Sequence, residues 1–103
     1  MSKTIQLRRY KLAQGREDEF AKGWSSHIPA LRRENGFTIE FAHLDRENSV
    51  FTWAVSVRGD EAAFKRTEQQ YYDAKIKAGL GNGDPKILLH TSFSFVEPLL
   101  PER

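Results

Sequence analysis

The chain has 103 residues, of which 39% are hydrophobic, 12% aromatic and 29% charged. This length provides one domain with a single core, and the composition excludes a disordered chain or a membrane-inserted one. Because the chain contains no cysteine, disulfides, thiolate catalysis and cysteine-ligated metals are excluded. The net charge is only +2, and the longest basic clusters are pairs such as Arg8-Arg9. We therefore expect no nucleic-acid-binding surface.

The first predicted elements are a strand and a helix. Alternating strand formers over 4–12 predict strand one, which ends at the turn 13–15. Because this alternation starts so close to the amino terminus, we expect no signal peptide and a cytoplasmic location. Three acidic residues then open a predicted helix over 16–34, which Asn35-Gly36 ends. Its apolar residues recur at helical spacing: Phe20, Trp24, Ile28 and Leu31.

The remaining elements are two strands, a helix and a last strand. Strands over 37–45 and 50–58 flank a polar hairpin loop, and Asp60 is placed to cap a helix that runs to about residue 77. The last strand covers 86–97. The order predicts an α+β, ferredoxin-like βαββαβ fold, a single domain over 1–103. Its four-stranded antiparallel sheet has the order 4-1-3-2, with both helices on one face.

Alternation along the strands separates two faces of this sheet. The face expected to pack under the helices is strongly apolar and carries Ile5, Leu7, Phe37, Ile39, Phe41, Phe51, Trp53, Val55, Val57, Ile87, Leu89, Phe93 and Phe95. The other face is mostly small or apolar and carries Arg8, Tyr10, Thr38, Glu40, Ala42, Leu44, Thr52, Ala54, Ser56, Leu88, Ser92, Ser94 and Val96.

The second face lacks the lysines and glutamates of a solvated sheet. Small residues let another layer approach, and a chain of this size must take that layer from a second copy. We therefore expect a homodimer with two sheets face to face, a dimeric α+β barrel. The candidate dimer-face residues are Arg8, Tyr10, Thr52, Ala54, Ser92 and Ser94. The alternative is a monomer with an open sheet face, which a sedimentation mass near twice 11.9 kDa would contradict.

Three stretches resemble one known family: "QLRRYKLAQG", "HIPALRRENGF" and "FTWAVSVRGDEAAFKRTEQQYYD". Together they are similar to the NIPSNAP family. The resemblance implies a dimeric α+β barrel, a fold shared with cofactor-free antibiotic-biosynthesis monooxygenases, haem-degrading monooxygenases and muconolactone-isomerase-like enzymes. It implies no particular reaction. The matching residues are Arg8, Tyr10, Gly15, Trp24, Pro29 and Gly36, while Gln6 stands where many members have Glu.

The first helix contains a candidate ligand pocket. Pro29 has no N–H, so it frees the carbonyl of Ser25 and predicts a bend near His27. The opening beside Trp24 would hold a small apolar molecule, with His27 as a proton donor or acceptor. Alternatively, Trp24 is core and His27 lies at the margin of the buried stripe. The pocket candidates are Arg9, Trp24, His27, His43, Tyr71 and Thr91, and Arg9 with Thr91 could bind an anion or simply reach solvent.

No motif names a reaction. His43 and His90 lie on opposite edges of the predicted sheet, about 14 Å apart, so we expect no metal and no cofactor. The leading interpretation is a NIPSNAP-like protein that binds a small apolar molecule between the sheet and helix one. One alternative is a cofactor-independent monooxygenase or isomerase, with Trp24 shaping the pocket, His27 as acid–base group and Arg8 or Arg9 holding an anionic group. The other is a non-catalytic scaffold dimer. Whether the protein is an enzyme stays open.

Overall fold

The computed structural model describes residues 2–81 and 83–100. The elements follow the predicted order: β1 (Lys3–Leu12), α1 (Glu17–Glu34), β2 (Thr38–Asp45), β3 (Val50–Arg58), α2 (Glu61–Lys77) and β4 (Leu88–Val96). Every neighbouring pair in the sheet is antiparallel, and the strand order is β2-β3-β1-β4. The predicted α+β, ferredoxin-like fold is therefore confirmed. The last strand begins two residues later than predicted, because 85–87 form a turn.

Helix α1 ends in a Schellman motif. Gly36 has a φ of +93°, the left-handed conformation that glycine adopts without a Cβ penalty. The N–H of Gly36 donates to the carbonyl of Arg33 at 3.2 Å, and the N–H of Phe37 donates to the carbonyl of Arg32 at 3.0 Å. This cap holds Arg32 and Phe37 beside each other where α1 turns into β2. Pro29 lies inside the continuous helix.

Helix α2 begins as the sequence predicts. Asp60 is the N-cap, and its Oδ1 accepts a hydrogen bond from the N–H of Ala63 at 2.9 Å. Phe64 and Tyr71, two turns apart, are buried against the sheet. None of the helices in the described part of the chain is long and apolar enough to cross a membrane. The core between helices and sheet contains Tyr10, Leu12, Phe37, Phe51, Trp53, Val55, Val57, Phe64 and Tyr71.

The predicted face of β1 is wrong. In the register with β3, Arg8 pairs with Trp53 and Tyr10 pairs with Phe51. Paired residues share a face, and Trp53 and Phe51 belong to the core under the helices. Arg8 and Tyr10, predicted on the dimer face, therefore lie under the helices, and Ile5 and Leu7 lie on the other face. Hydrophobic alternation was misleading because this strand directs its polar residues inward.

Irregular register changes two more predicted faces. Between Ile39 and Phe41 the pairing of β2 shifts, so Phe41 pairs with Ala54 and His43 with Thr52. One extra residue moves everything after it to the opposite face. Phe41 and His43 thus leave the helix-covered face, and Ala42 and Leu44 join it. A similar shift opposite Lys11 and Leu12 places Leu88 under the helices, where Leu89 was expected, and leaves Leu89 exposed.

We call the surface away from the helices the open face. Two of its cross-strand rows are Phe41–Ala54–Leu7–Ser94 and His43–Thr52–Arg9–Ser92. The predicted dimer-face residues Thr52, Ala54, Ser92 and Ser94 lie in these rows. Arg9 also lies here, because it pairs with Thr52 and Ser92, so its predicted place under the helices is wrong. The apolar side chains Phe41 and Val96 are 37% and 40% exposed.

Candidate ligand-binding cleft

A cleft of about 450 Å³ opens between the sheet, the two helices and the segment that leads into β4. Side chains of the sheet, α1 and α2 line it, and Leu80, Gly81, Gly83 and Asp84 also border it. This volume is in the range of small-molecule sites. Its main lining residues are Arg8, Tyr10, Trp53, Phe20, Trp24, His27, Ile28, Arg32, Tyr71, Tyr72, Lys75, Leu80, Ile87 and Leu88.

Aromatic rings line the cleft on three sides. Trp24 of α1 meets Trp53 of β3 edge to face, with ring centroids 5.2 Å apart and planes at 80°. Tyr10 packs on Phe20 at 6.0 Å and 88°, and Tyr71 lies 5.4 Å from Tyr72 on α2. Interlocked rings of this kind form stiff apolar walls, which suit a flat ligand with little polar surface.

Two buried arginines lie at the inner end of the cleft. Arg8 is 5% exposed; its Nε donates to Tyr10 Oη at 3.0 Å, and its Nη1 donates to Gln6 Oε1 at 2.7 Å. Arg32 is 1% exposed, and its guanidinium lies 3.8 Å from the ring centroid of Tyr71 and 4.6 Å from that of Phe37. Cation–π contacts hold Arg32 in place but give its N–H groups no oxygen acceptor.

Positive charge exceeds negative charge around these arginines. Glu68 is the carboxylate that faces both, with its Oε2 3.4 Å from Arg8 Nη1 and 3.8 Å from Arg32 Nη1. Burial, followed by the charge of Arg8, lowers the pKa of Arg32. Burial, followed by the charges of Arg32 and Arg8, lowers the pKa of Lys75. Burial also disfavours the charge of Arg8, but its interactions with Tyr10 and Tyr72 outweigh burial and raise the pKa of Arg8. The neighbouring positive charges therefore disfavour Arg32 and Lys75, while the tyrosines stabilise Arg8.

Four buried nitrogen atoms around the cleft have no hydrogen-bond partner within 2–81 and 83–100. They are Nε1 of Trp24, Nε1 of Trp53, and Nε and Nη1 of Arg32. Most buried polar atoms in folded proteins are hydrogen-bonded, and an unpaired buried donor costs about 1–3 kcal/mol. All four atoms are donors, so the cleft has an excess of hydrogen-bond donors as well as of positive charge.

The structure brings together only part of the predicted pocket. Trp24, His27 and Tyr71 line the cleft, and His27 is exposed at its rim. Thr91 lies instead at a neighbouring depression of about 470 Å³ beside β4, which shares Arg8 and other residues with the cleft. The other two predicted pocket residues, Arg9 and His43, lie on the open face, as described above.

Sequence reasoning missed Arg32 and Lys75 as pocket residues, and it placed Arg8, one of its two candidates for holding an anionic group, on the dimer face. One signal could have identified Arg32: it continues the four-residue spacing of Phe20, Trp24 and Ile28, so a charged residue falls on the buried stripe of α1. Among the described residues, no three His, Asp or Glu side chains form a group that could hold a metal ion.

No protein-family model matches the chain, and no curated protein matches it either. Solved structures do resemble it. An uncharacterized NIPSNAP domain protein from Burkholderia xenovorans superposes with a TM-score of 0.72 at 12% identity, covering 96% of this chain and 99% of that one. A NIPSNAP-like domain protein from the same organism gives 0.75 at 12% identity, with coverages of 97% and 90%.

A third similar structure is a Bacteroides thetaiotaomicron protein whose assignment as an antibiotic biosynthesis monooxygenase is provisional. Its TM-score is 0.67 at 20% identity, and the match covers 97% of this chain and 92% of that one. At these identities a likeness shows the fold. The chain therefore has the fold of the NIPSNAP domain structures, as the resemblance of its sequence predicted, and that fold also occurs in the Bacteroides protein.

Proposed function

We propose that this protein binds a small, flat and largely apolar molecule in the cleft. The observation that carries the proposal is the cleft itself, a space of about 450 Å³ between Trp24, Trp53 and the tyrosines of α2. Binding sites for small molecules are concave, mostly apolar and lined by a few polar groups, and this cleft has each of these properties.

Tryptophan fluorescence offers a direct test, because both tryptophans of the chain contact the cleft. A panel of neutral quinones, phenols and lactones would be titrated while quenching and the melting temperature are followed. We expect saturable quenching and a raised Tm with at least one compound, since a ligand that binds only the folded state stabilises it.

A variant that fills the cleft provides the control. Gly23 lines the cleft from α1, and a Cβ added there meets no atom within 4 Å. Gly23→Phe should therefore fold, and it should weaken binding about tenfold or more by occupying ligand space. Ala30→Phe adds the same ring to an exposed position of α1 and should bind normally. Equal affinity in both variants, or no binding by any compound, would contradict the proposal.

A second candidate function is catalysis by a cofactor-independent monooxygenase or isomerase. His27 favours it, because this side chain lies at the rim of the cleft one turn from Trp24 and makes no hydrogen bond to the described residues. An imidazole at the rim of a cleft is placed to reach a bound molecule, as a general acid or base must. For any compound that is consumed, His27→Gln should lower turnover about a hundredfold and leave the Kd within about threefold. Unchanged turnover would remove His27 from the mechanism.

We also propose that two copies associate through the open face to form a dimeric α+β barrel. The row that contains Ala54, Leu7 and Ser94 is small or apolar, which favours contact with a second sheet, and the exposed Phe41 and Val96 add apolar area. If this dimer binds no ligand, it corresponds to the non-catalytic scaffold dimer, the other alternative from the sequence. The cytoplasmic location stays a prediction of the sequence.

A further inference from the structure

The inner end of the cleft has properties that a purely apolar ligand does not explain. Building on the proposed function, we infer that the ligand carries an anionic oxygen group, such as a carboxylate or an ionised enol, which binds at Arg32. Its apolar body would lie between Trp24, Trp53 and Tyr72. The inferred ligand is thus a flat acid and not a neutral hydrocarbon-like molecule.

The hydrogen-bonding state of Arg32 is the first reason. Its side chain is 1% exposed and lines the cleft, yet its Nε and Nη1 have no hydrogen-bond acceptor in the part of the chain that the structure describes. Guanidinium groups match carboxylate oxygens in geometry, and charge-assisted bonds between them are about twice as strong as neutral ones. An oxygen anion would therefore satisfy donors that the fold leaves unpaired.

The distribution of charge is the second reason. Arg8, Arg32 and Lys75 meet at the inner end of the cleft, whereas Glu68 is the carboxylate that approaches both arginines. The acidic residues that also line the cleft, Glu19 and Asp84, face a cation of their own, because Arg16 Nη2 lies 2.9 Å from Glu19 Oε2 and 3.9 Å from Asp84 Oδ2. The negative charges of the cleft thus lie mainly at its rim, and the excess of positive charge lies inside.

The neighbouring donors are the third reason. Nε1 of Trp24 and Nε1 of Trp53 are buried and unpaired within the same described residues, and both indoles line the cleft. A group with two oxygen atoms accepts several hydrogen bonds at once, whereas an amide or an alcohol also introduces a donor. A ligand with such a donor would place it against the donors of the cleft and would bind less tightly.

Two probes of equal shape and different charge test the inference: 2-naphthoate and 2-naphthamide, titrated by calorimetry. We expect the wild-type protein to bind the acid at least about tenfold more tightly than the amide. One charge-assisted hydrogen bond contributes a difference in affinity of this size. In Arg32→Gln the preference should fall to about threefold or less. Arg33→Gln removes the same charge from the adjacent, exposed position and should keep the wild-type preference.

A second pair of variants keeps the test decisive if Arg32→Gln does not fold. Lys75→Gln, at the cleft, should reduce the preference for 2-naphthoate, and Lys77→Gln, exposed two residues later, should not. In the wild-type protein, added salt should weaken binding of the acid and leave the amide unaffected.

Each other outcome overturns the inference. If the wild-type protein binds the acid and the amide equally, or prefers the amide, the cleft binds flat molecules without selecting an anion, and the proposed function survives alone. If it binds neither probe, the inference fails as well. The neutral panel and Gly23→Phe then show separately whether the cleft binds anything.

Discussion

Each face of the sheet has a charged side chain beside it, and the two side chains differ in how they are hydrogen-bonded. On the helix-covered face, large aromatic rings surround Arg32, whose Nε and Nη1 have no hydrogen-bond acceptor among the described residues. On the open face, Glu40 accepts from Ser56 Oγ at 2.6 Å and from Lys3 Nζ at 2.9 Å. A polar group paired within the fold serves structure, and one left unpaired at a cleft is free to serve a ligand. The comparison thus agrees with the proposed ligand site on one face and with the proposed interface on the other.

The largest expected effect comes from removing a ring on the helix-covered face. Trp53 is 1% exposed and contacts Trp24 and Phe51. Trp53→Ala should lower the free energy of unfolding by about 3–5 kcal/mol, because it leaves a cavity in the core. Thr52→Ala, one residue away on the open face, should cost less than about 1 kcal/mol. Urea denaturation at one protein concentration measures both. Similar losses of stability in the two variants would show that the two faces of the sheet do not differ in how tightly they are packed.

The next effect tests the open face as an interface. Leu7 lies half-buried in the middle row of that face, so Leu7→Glu would place two charges between facing sheets. Burying an unpaired charge is costly, and we expect the mass in sedimentation equilibrium to fall from twice 11.9 kDa to 11.9 kDa. Gln70→Glu adds the same charge to the exposed side of α2 and should leave the dimer intact. A wild-type protein that sediments as a monomer would contradict the proposed dimer.

Much of the fold could be predicted from the sequence, because the elements have clear physical signals. The spacing of Phe20, Trp24 and Ile28, the cap at Asp60 and the glycine at 36 each specify local structure without reference to the rest of the chain. The strand faces of β3 were also predictable, since Phe51, Trp53, Val55 and Val57 are all apolar and all buried. Strong periodicity identifies a face.

The candidate site could not be predicted in the same way, because it departs from the pattern that identifies faces. Strand β1 has apolar residues on one side, Ile5 and Leu7, and turns the other side, with Arg8 and Tyr10, toward the helices. In β2 the extra residue at the bulge moves His43 to the open face, and bulges leave little trace in composition. Arg8, which lines the cleft, is thus a residue for which hydrophobic alternation fails.

A smaller effect distinguishes a ligand-binding arginine from a structural one. Arg32→Met keeps a long side chain at the inner end of the cleft and removes a charge that burial and Arg8 both disfavour. Replacing a buried charge by an apolar group of similar volume is often neutral or stabilising, so we expect the free energy of unfolding to rise by about 1 kcal/mol. Binding of 2-naphthoate should weaken at the same time. Arg33→Met, on the exposed side, should change neither quantity. A large loss of stability in Arg32→Met would make Arg32 structural.

The smallest effect concerns the paired charge of the open face and its dependence on pH. Burial opposes ionisation of Glu40, but the hydrogen bonds from Ser56 and Lys3, with the charge of Lys3, outweigh it and lower the pKa of Glu40. A carboxylate whose pKa is lower in the folded state stabilises the protein above its unfolded pKa, and this contribution is lost as the pH falls through the folded pKa. Glu40→Gln should therefore cost about 0.5–1 kcal/mol at pH 7 and less at an acid pH below the folded pKa of Glu40. Glu47→Gln, exposed in the hairpin loop, serves as the control in urea denaturation at both pH values. If the loss of stability in Glu40→Gln persists in acid, the side chain of Glu40 contributes through its shape and not through its charge. The contrast between Glu40 and Arg32 would then not be electrostatic.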